Sequence, residues 1–288
     1  MPVQFLSPKE LAAAIGVSES SLKRWVDDGR LTVQRTAGGH RRIPIEEAVR
    51  FVRAEGYPVQ DSVCFGVACC GQVVETQELQ EAIYSALVAG NAQQCQSLVM
   101  TAYLSGMTVP AICDGPLTKA LFRIGELWHH GDDGIAIEHV ASGIVVQIIE
   151  SLRQKIKRVE NNAFVAIGGG SCGQHNLLSS LMVGITLQDA GFHSISLGSN
   201  TPDGAVLAAA KLHKPSLVWR SISGMTRPEQ VATELCELAE KLGPIPLVVG
   251  GRDVHKLHFG CAKHIHVISN LCELGAFARA MTLTKTPK

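Results

Sequence analysis

The chain has 288 residues, 46% of them hydrophobic and 18% charged, with 26 basic against 26 acidic side chains. Such a length accommodates two or three domains, and the mixture is that of a soluble protein able to build cores. Zero formal net charge excludes any whole-chain argument for nucleic acid and leaves only a local one. Nine scattered cysteines without a CxxC pair disfavour a disulfide framework and a zinc site, and fit a reducing, cytoplasmic setting. No basic segment leads into an apolar run at the N-terminus, which speaks against a signal peptide. No uninterrupted apolar stretch reaches the roughly 18 residues needed to span a bilayer.

Residues 1–56 read as a compact block of short helices. Ser7 or Pro8 opens a helix through Lys9 to Ile15, and Gly16 ends it. Ser18 caps a second helix, Glu19 to Asp28, ended by Gly29. This is a helix, a tight turn and a helix. Leu31–Gln34 and Arg41–Ile43 then flank Ala37-Gly38-Gly39, the pattern of a hairpin or wing. Pro44 and Glu46 open a third helix that ends at Glu55. Residues 57–74 have no periodicity and read as a linker. A redox switch at Cys69-Cys70 is the alternative there, disfavoured because adjacent cysteines rarely meet disulfide geometry.

Residues 75–160 are expected to be all-helical: Glu75–Ala89, Ala92–Ser105, a helix begun by Val109 and Pro110 that runs toward Trp128, and one from about Ile135 to Lys157. In the last, Ile137, Ala141, Ile144, Ile148 and Leu152 recur at steps of four and three, the stripe of a bundle helix. Four such helices predict a four-helix bundle. Over residues 161–288, short apolar runs alternate with helical segments. The runs are Ala163–Ile167, Ser194–Leu197, Leu217–Ile222, Pro246–Val249 and Ile265–Ile268. Alternation of this kind predicts right-handed βαβ units and a flavodoxin-like, doubly wound parallel sheet. The whole is therefore a multidomain α and α/β protein. Sheets of this class bind ligands at the carboxyl ends of their strands, so the expected loop Gly168-Gly169-Gly170-Ser171-Cys172-Gly173-Gln174-His175 is the first place to look.

Between residues 23 and 42, Lys23, Arg24, Arg30, Arg35, Arg41 and Arg42 face only Asp27 and Asp28. A recognition helix would place Ser20, Ser21, Lys23 and Arg24 in a major groove. The wing would bring Gly39, His40, Arg41 and Arg42 beside the duplex. Charge alone equally describes a solvated basic face; the spacing of helices and wing favours DNA. The run Phe5–Ala12, then Ser21-Leu22-Lys23-Arg24-Trp25, then Thr36-Ala37-Gly38-Gly39-His40-Arg41-Arg42-Ile43, resembles the MerR-type winged helix-turn-helix. Trp25 reads as core rather than as a base contact.

A histidine in a sheet-edge loop is by itself more often solvated than ligating. His175, however, follows a glycine-rich turn that would admit a bulky planar ligand, and Gly250-Gly251 follows the fourth strand. A phosphate cradle is the rival reading, but no P-loop lysine and no GxGxxG accompany these glycines. The arrangement resembles the B12-binding domain. The resemblance implies that His175 is the lower axial ligand of cobalt and that the displaced base and its tail thread into the sheet. Of the family's DxHxxG, SxL and GG, His175, Ser221, Gly250 and Gly251 match. Gly173, Leu178 and Ser223 stand where aspartate, glycine and leucine are usual. The missing aspartate would orient the histidine; Gln174 or Ser171 could substitute.

Trp128-His129-His130-Gly131 closes one helix and Glu138-His139 begins the next. Separately these are a half-buried tryptophan and a helix-start carboxylate. Together they resemble the W-x9-EH signature of cobalamin-dependent photoreceptor regulators of the CarH type, in which the bundle caps the cofactor. That resemblance implies adenosylcobalamin with Trp128 on its upper ligand, Glu138 and His139 in contact, and His129 as a cobalt ligand after photolysis. Ser142 and Gly143 are small enough for close approach. It also implies a light-responsive repressor that is no enzyme and binds operator DNA as a homo-oligomer, a dimer or tetramer. The alternatives are a cobalamin-independent regulator with a degenerate site and a corrinoid methyl carrier.

Overall fold

A computed structural model describes residues 4–61, 63–65, 76–127, 131–156, 164–175, 177–224, 227–260 and 264–284. It falls into two units, Met1–Arg158 and Val159–Lys288. Each has its own core.

The first unit opens with β1 (Phe5–Leu6), α1 (Pro8–Ile15), α2 (Glu19–Asp27), β2 (Gln34–Arg35), β3 (Arg41–Pro44) and α3 (Ile45–Glu55). Ser7 and Glu10 form a capping box: the Ser7 hydroxyl accepts from the Glu10 amide, and the Glu10 carboxylate accepts from the Ser7 amide at 2.6 Å. Gly16, at φ 68°, stops α1 in a left-handed conformation that a side chain would resist. Ser18 caps α2. The wing is β2 paired with β3, Gln34 against Arg42. β3 also pairs with β1, Leu6 against Ile43. Trp25 is 6% exposed and packs on Phe51 and Tyr57, each with ring centroids 5.2 Å away, so it is core. Chain beyond α3 turns back onto this block: the amides of Gln60 and Asp61 donate to the Ala14 carbonyl, and Phe65 is fully buried. Cys69 and Cys70 lie outside the described residues.

The bundle consists of α4 (Thr76–Val88), α5 (Ala92–Leu104), α6 (Val109–Ile112), a π-helical segment Cys113–Leu117, α7 (Thr118–Gly125) and α8 (Asp132–Arg153). α4 packs on α5, α7 and α8. The π segment contains Pro116, whose missing N–H cannot serve a regular α ladder. Helix α8 is long and apolar enough to cross a membrane by length and composition alone. One stripe of it, Ala141, Ile144, Val145, Ile148, Ile149 and Leu152, is buried. That is the behaviour of a bundle helix.

The second unit is a five-stranded parallel sheet in the order β5-β4-β6-β7-β8, where β4 is Phe164–Gly170, β5 Phe192–Ser196, β6 Leu217–Ser221, β7 Leu247–Gly250 and β8 Ile265–Ile268. Between and after them run α9 (Leu177–Asp189), α10 (Asp203–His213), α11 (Pro228–Leu242) and α12 (Leu271–Thr284). This order is the flavodoxin-like one, with its switch point between β4 and β6. One sheet face, with Ala166, Leu217, Trp219, Val248 and Ile268, buries Leu187 of α9 and Leu274 and Ala278 of α12. The opposite face, with Val218, Leu247 and Val249, buries Val206 of α10 and Leu235 and Leu238 of α11.

Candidate functional site

The face expected to read DNA is set by the caps of α2. Ser18 holds α2 at its first turn, and its hydroxyl lies 2.8 Å from that of Ser20 and 3.0 Å from that of Ser21. Lys23 and Arg24 project from the exposed side of α2, opposite buried Leu22 and Trp25. On the wing, Gly39 adopts φ 77° and would meet nothing within 4 Å with a Cβ, so the tip is open. His40 and Arg42 are exposed. Lys23, Arg24, Arg35 and Arg42 have no ion-pair partner among the described residues. Arg41 differs: its guanidinium donates to Asp27 at 2.8 Å and to the Lys23 carbonyl at 3.4 Å. It braces the wing against α2.

In the bundle, the Ser142 hydroxyl donates to the Glu138 carboxylate at 2.6 Å. His139 Nδ1 lies 2.8 Å from the Ile135 carbonyl and 3.3 Å from Glu138. An Nδ1–H donated to that carbonyl leaves Nε2 for another partner. His139 is largely exposed, and a Cβ at Gly143 would meet nothing within 4 Å. Val140, between them, is 52% exposed. This turn of α8 therefore offers a carboxylate, an imidazole and a flat step on one helix. Trp128 and His129 lie outside the described residues.

At the carboxyl edge of the sheet, the structure corrects one expectation. Gly168, Gly169 and Gly170 belong to strand β4 and not to a loop. Their lack of side chains serves protein packing. A Cβ on Gly168 would fall 2.1 Å from the Trp219 carbonyl oxygen, and one on Gly169 would fall 2.5 Å from that of Gly198. Likewise a Cβ on Gly251 would fall 2.2 Å from the Ile222 carbonyl oxygen, and one on Gly250 3.1 Å from that of Ile268. Only Gly173, at φ 82°, faces open space in the turn before His175.

His175 is exposed at this edge. Gln174 does not orient it. The Gln174 side chain accepts from the Ser223 amide at 2.9 Å, and its carbonyl accepts from the Asn200 amide at 2.7 Å. The Ser171 hydroxyl is buried without a partner. Ser221 is buried, and its carbonyl accepts from the Ser171 amide at 3.2 Å. Among the described residues, no group of three or more His, Cys, Asp or Glu side chains could hold a metal ion, so a metal here would need a ligand ring of its own. An exposed imidazole beside an open turn could serve such a group as a ligand. The filled interior beneath does not fit a threaded tail.

One feature that sequence reasoning missed lies just below. Arg220, on β6, is 2% exposed, and donates to Asp203 at 2.8 Å and to the Thr201 carbonyl at 2.8 Å. Burial pulls the guanidinium below its ordinary value, Asp203 opposing. Burial raises Asp203, with Arg220 pulling the other way. A charged residue inside the apolar run Leu217–Ile222 was the available signal.

A family model described as a helix-turn-helix domain matches residues 5–55, and one described as a B12 binding domain matches residues 79–153. The chain thus carries a domain of each kind. Among solved structures, the monomethylamine corrinoid protein of Methanosarcina barkeri is 19% identical over 72% of this chain and 99% of its own, at a TM-score of 0.54. That likeness shows the fold alone. The methanol:cobalamin methyltransferase complex of the same organism is 18% identical over 93% of this chain and 94% of its own, at a TM-score of 0.38. A cobalamin-binding protein of Desulfitobacterium hafniense DCB-2 is 13% identical over 70% of this chain and 97% of its own, at 0.34.

Proposed function

We propose that this chain is a corrinoid-responsive transcription regulator of the CarH-like, MerR-type kind. In this reading it is a repressor that holds operator DNA in the dark as a homo-oligomer, releases it on illumination, and catalyses no turnover. The observation that carries the proposal is physical continuity between the DNA-reading block and the bundle. Arg53 of α3 donates to the carbonyls of Tyr103 and Met107 at the end of α5, the latter at 3.0 Å, and its guanidinium lies 3.8 Å from the centroid of the Tyr103 ring. A change at the bundle therefore has a path to the helix that reads DNA.

Bound, adenosylcobalamin would supply a cobalt–carbon bond that visible light cleaves. His175 would present an imidazole to the metal from the sheet edge. Glu138, held by Ser142, would accept from hydroxyls of the upper ligand, with His139 beside it and Gly143 admitting close approach. Those residues give the first unit different contacts with and without the upper ligand, and only differential contacts can shift an equilibrium. A regulator that works without cobalamin is the second reading, favoured by Gly173 and Leu178 in place of the usual aspartate and glycine. The test is an absorption spectrum of full-length protein mixed with adenosylcobalamin in the dark and desalted, repeated after green light, together with DNA retention on a gel. Retained cofactor, a light-dependent spectrum and light-released DNA are expected, and the response should be lost in Glu138→Ala. Colourless protein, or an intact light response in Glu138→Ala, sinks the proposal.

A further inference from the structure

The carboxyl edge of the sheet leads toward two interior layers, one on each face, and both are filled by the protein itself. On the α9 and α12 face, Ser196, Gly168, Trp219, Val248 and His266 stand in register across the five strands. Trp219 is 1% exposed. Its indole lies over Gly168: a Cβ there would come 2.5 Å from Cδ2 and 2.6 Å from Cγ of the ring. The next row toward the edge pairs Gly170 with Ser221, so the indole sits one step inside the place where any ligand would enter.

The ring belongs to the apolar layer with Leu187, Val248 and Leu274, and polar groups are buried in the same unit. Ser180 of α9 and Ser196 of β5 share a hydrogen bond at 2.9 Å. Thr186 Oγ1, Ser194 Oγ and Trp219 Nε1 are buried without partners. Buried polar groups without partners are costly unless something satisfies them. On the opposite face, Arg220 is anchored to Asp203, Thr201 and, at 3.4 Å, the Gly170 carbonyl. The mouth is latched as well, because Gln174 bonds to Asn200 on one side and to Ser223 on the other.

We propose that Trp219 is a specificity-determining plug. It fills the volume over Gly168 and excludes the nucleotide tail of a corrinoid. The edge at His175 then takes a corrinoid ring whose tail stays outside, and does not distinguish tailed from tail-less forms. This inference rests on the reading of that edge as a corrinoid site.

The experiment compares binding of hydroxocobalamin and of cobinamide, which lacks the nucleotide tail, to the full-length protein. Wild type is expected to bind the two within about threefold of each other. Trp219→Gly, which empties the volume over Gly168, is expected to favour hydroxocobalamin by about tenfold or more while leaving cobinamide unchanged. A wild-type preference for hydroxocobalamin beyond about threefold overturns the plug. Retention of neither corrinoid by wild type overturns the reading of the site. The plug is then judged on free protein, with Trp25→Phe and Trp128→Phe leaving Trp219 as the only emitter. Blue-shifted emission that resists acrylamide supports a filled interior; quencher-accessible emission overturns it. The same measurement decides the matter if Trp219→Gly fails to fold.

Discussion

Replacing Arg42 by alanine removes an exposed cation of the wing that has no ion-pair partner among the described residues, whereas replacing its neighbour Arg41 removes a brace to Asp27. The two substitutions cost the same formal charge, and a simple count of basic residues would treat them alike. Each phosphate contact contributes about 0.9 to the slope of log affinity against log salt, which over a fourfold change in salt is about 3.5-fold in affinity. Arg42→Ala should therefore flatten the slope by about 0.9 per DNA-bound subunit. Arg41→Ala should leave the slope nearly unchanged and instead lower stability, by about 0.2–1 kcal/mol for a pair this exposed. Fluorescence anisotropy of the full chain on a labelled random-sequence duplex, at four salt concentrations, measures the slopes, and urea denaturation measures the stabilities. Equal slope losses from Arg41→Ala and Arg42→Ala would refute the assignment of one residue to the DNA and the other to the fold.

Three further outcomes are expected. Arg220→Met keeps volume but strands Asp203 and two backbone carbonyls, so urea unfolding of the second unit should lose about 2–4 kcal/mol, with Arg220→Met/Asp203→Asn recovering part of it. Gly168→Ala places a methyl against the Trp219 carbonyl, which no change of rotamer relieves. It should cost about 1–3 kcal/mol or more in the same assay, and a neutral result would contradict the tight packing of β4 on β6. His266, beside Phe277 with centroids 4.8 Å apart, is held below its ordinary value by burial, with His264 adding to the effect. Folding therefore opposes its protonation. The stability this contributes is present above an ordinary histidine value of 6.5 and is lost as pH falls through the lowered folded value. His266→Phe should remove that fall from the pH dependence of the urea midpoint.

Much of the local structure was legible because it depends on neighbours in sequence. Ser7 with Glu10, Ser18, and the stop at Gly16 mark the helices of the first block within a residue or two. The stripe of α8 and the alternation of strands with helices revealed the bundle and the parallel sheet. What was not legible depends on partners distant in the chain. β1 is two residues long, too short for a period-two signal, and exists because β3 offers it an edge. β4 runs on through Gly168–Gly170, residues with poor strand propensity, because Trp219 and the Gly198 carbonyl occupy the volume that side chains would need. Arg41 and Arg42 are adjacent and chemically identical; the ion pair of Arg41 with Asp27 across the turn tells them apart. At the sheet edge, His175 was visible as a residue in a turn, but the closed interior beneath it required the cross-strand register.

The Arg53 joint has a consequence for how operators could be spaced. A reading head on a loose tether tolerates variable distances between half-sites, at the cost of a low effective concentration for the second contact. Here α3 is fastened to the end of α5 by a side chain that engages two carbonyls and an aromatic ring. The bundle then acts as the frame of a pair of callipers. If the chain pairs on DNA as proposed, whatever sets the distance between two bundles also sets the gap between two recognition helices, and half a turn of DNA inserted between half-sites would rotate one of them out of reach.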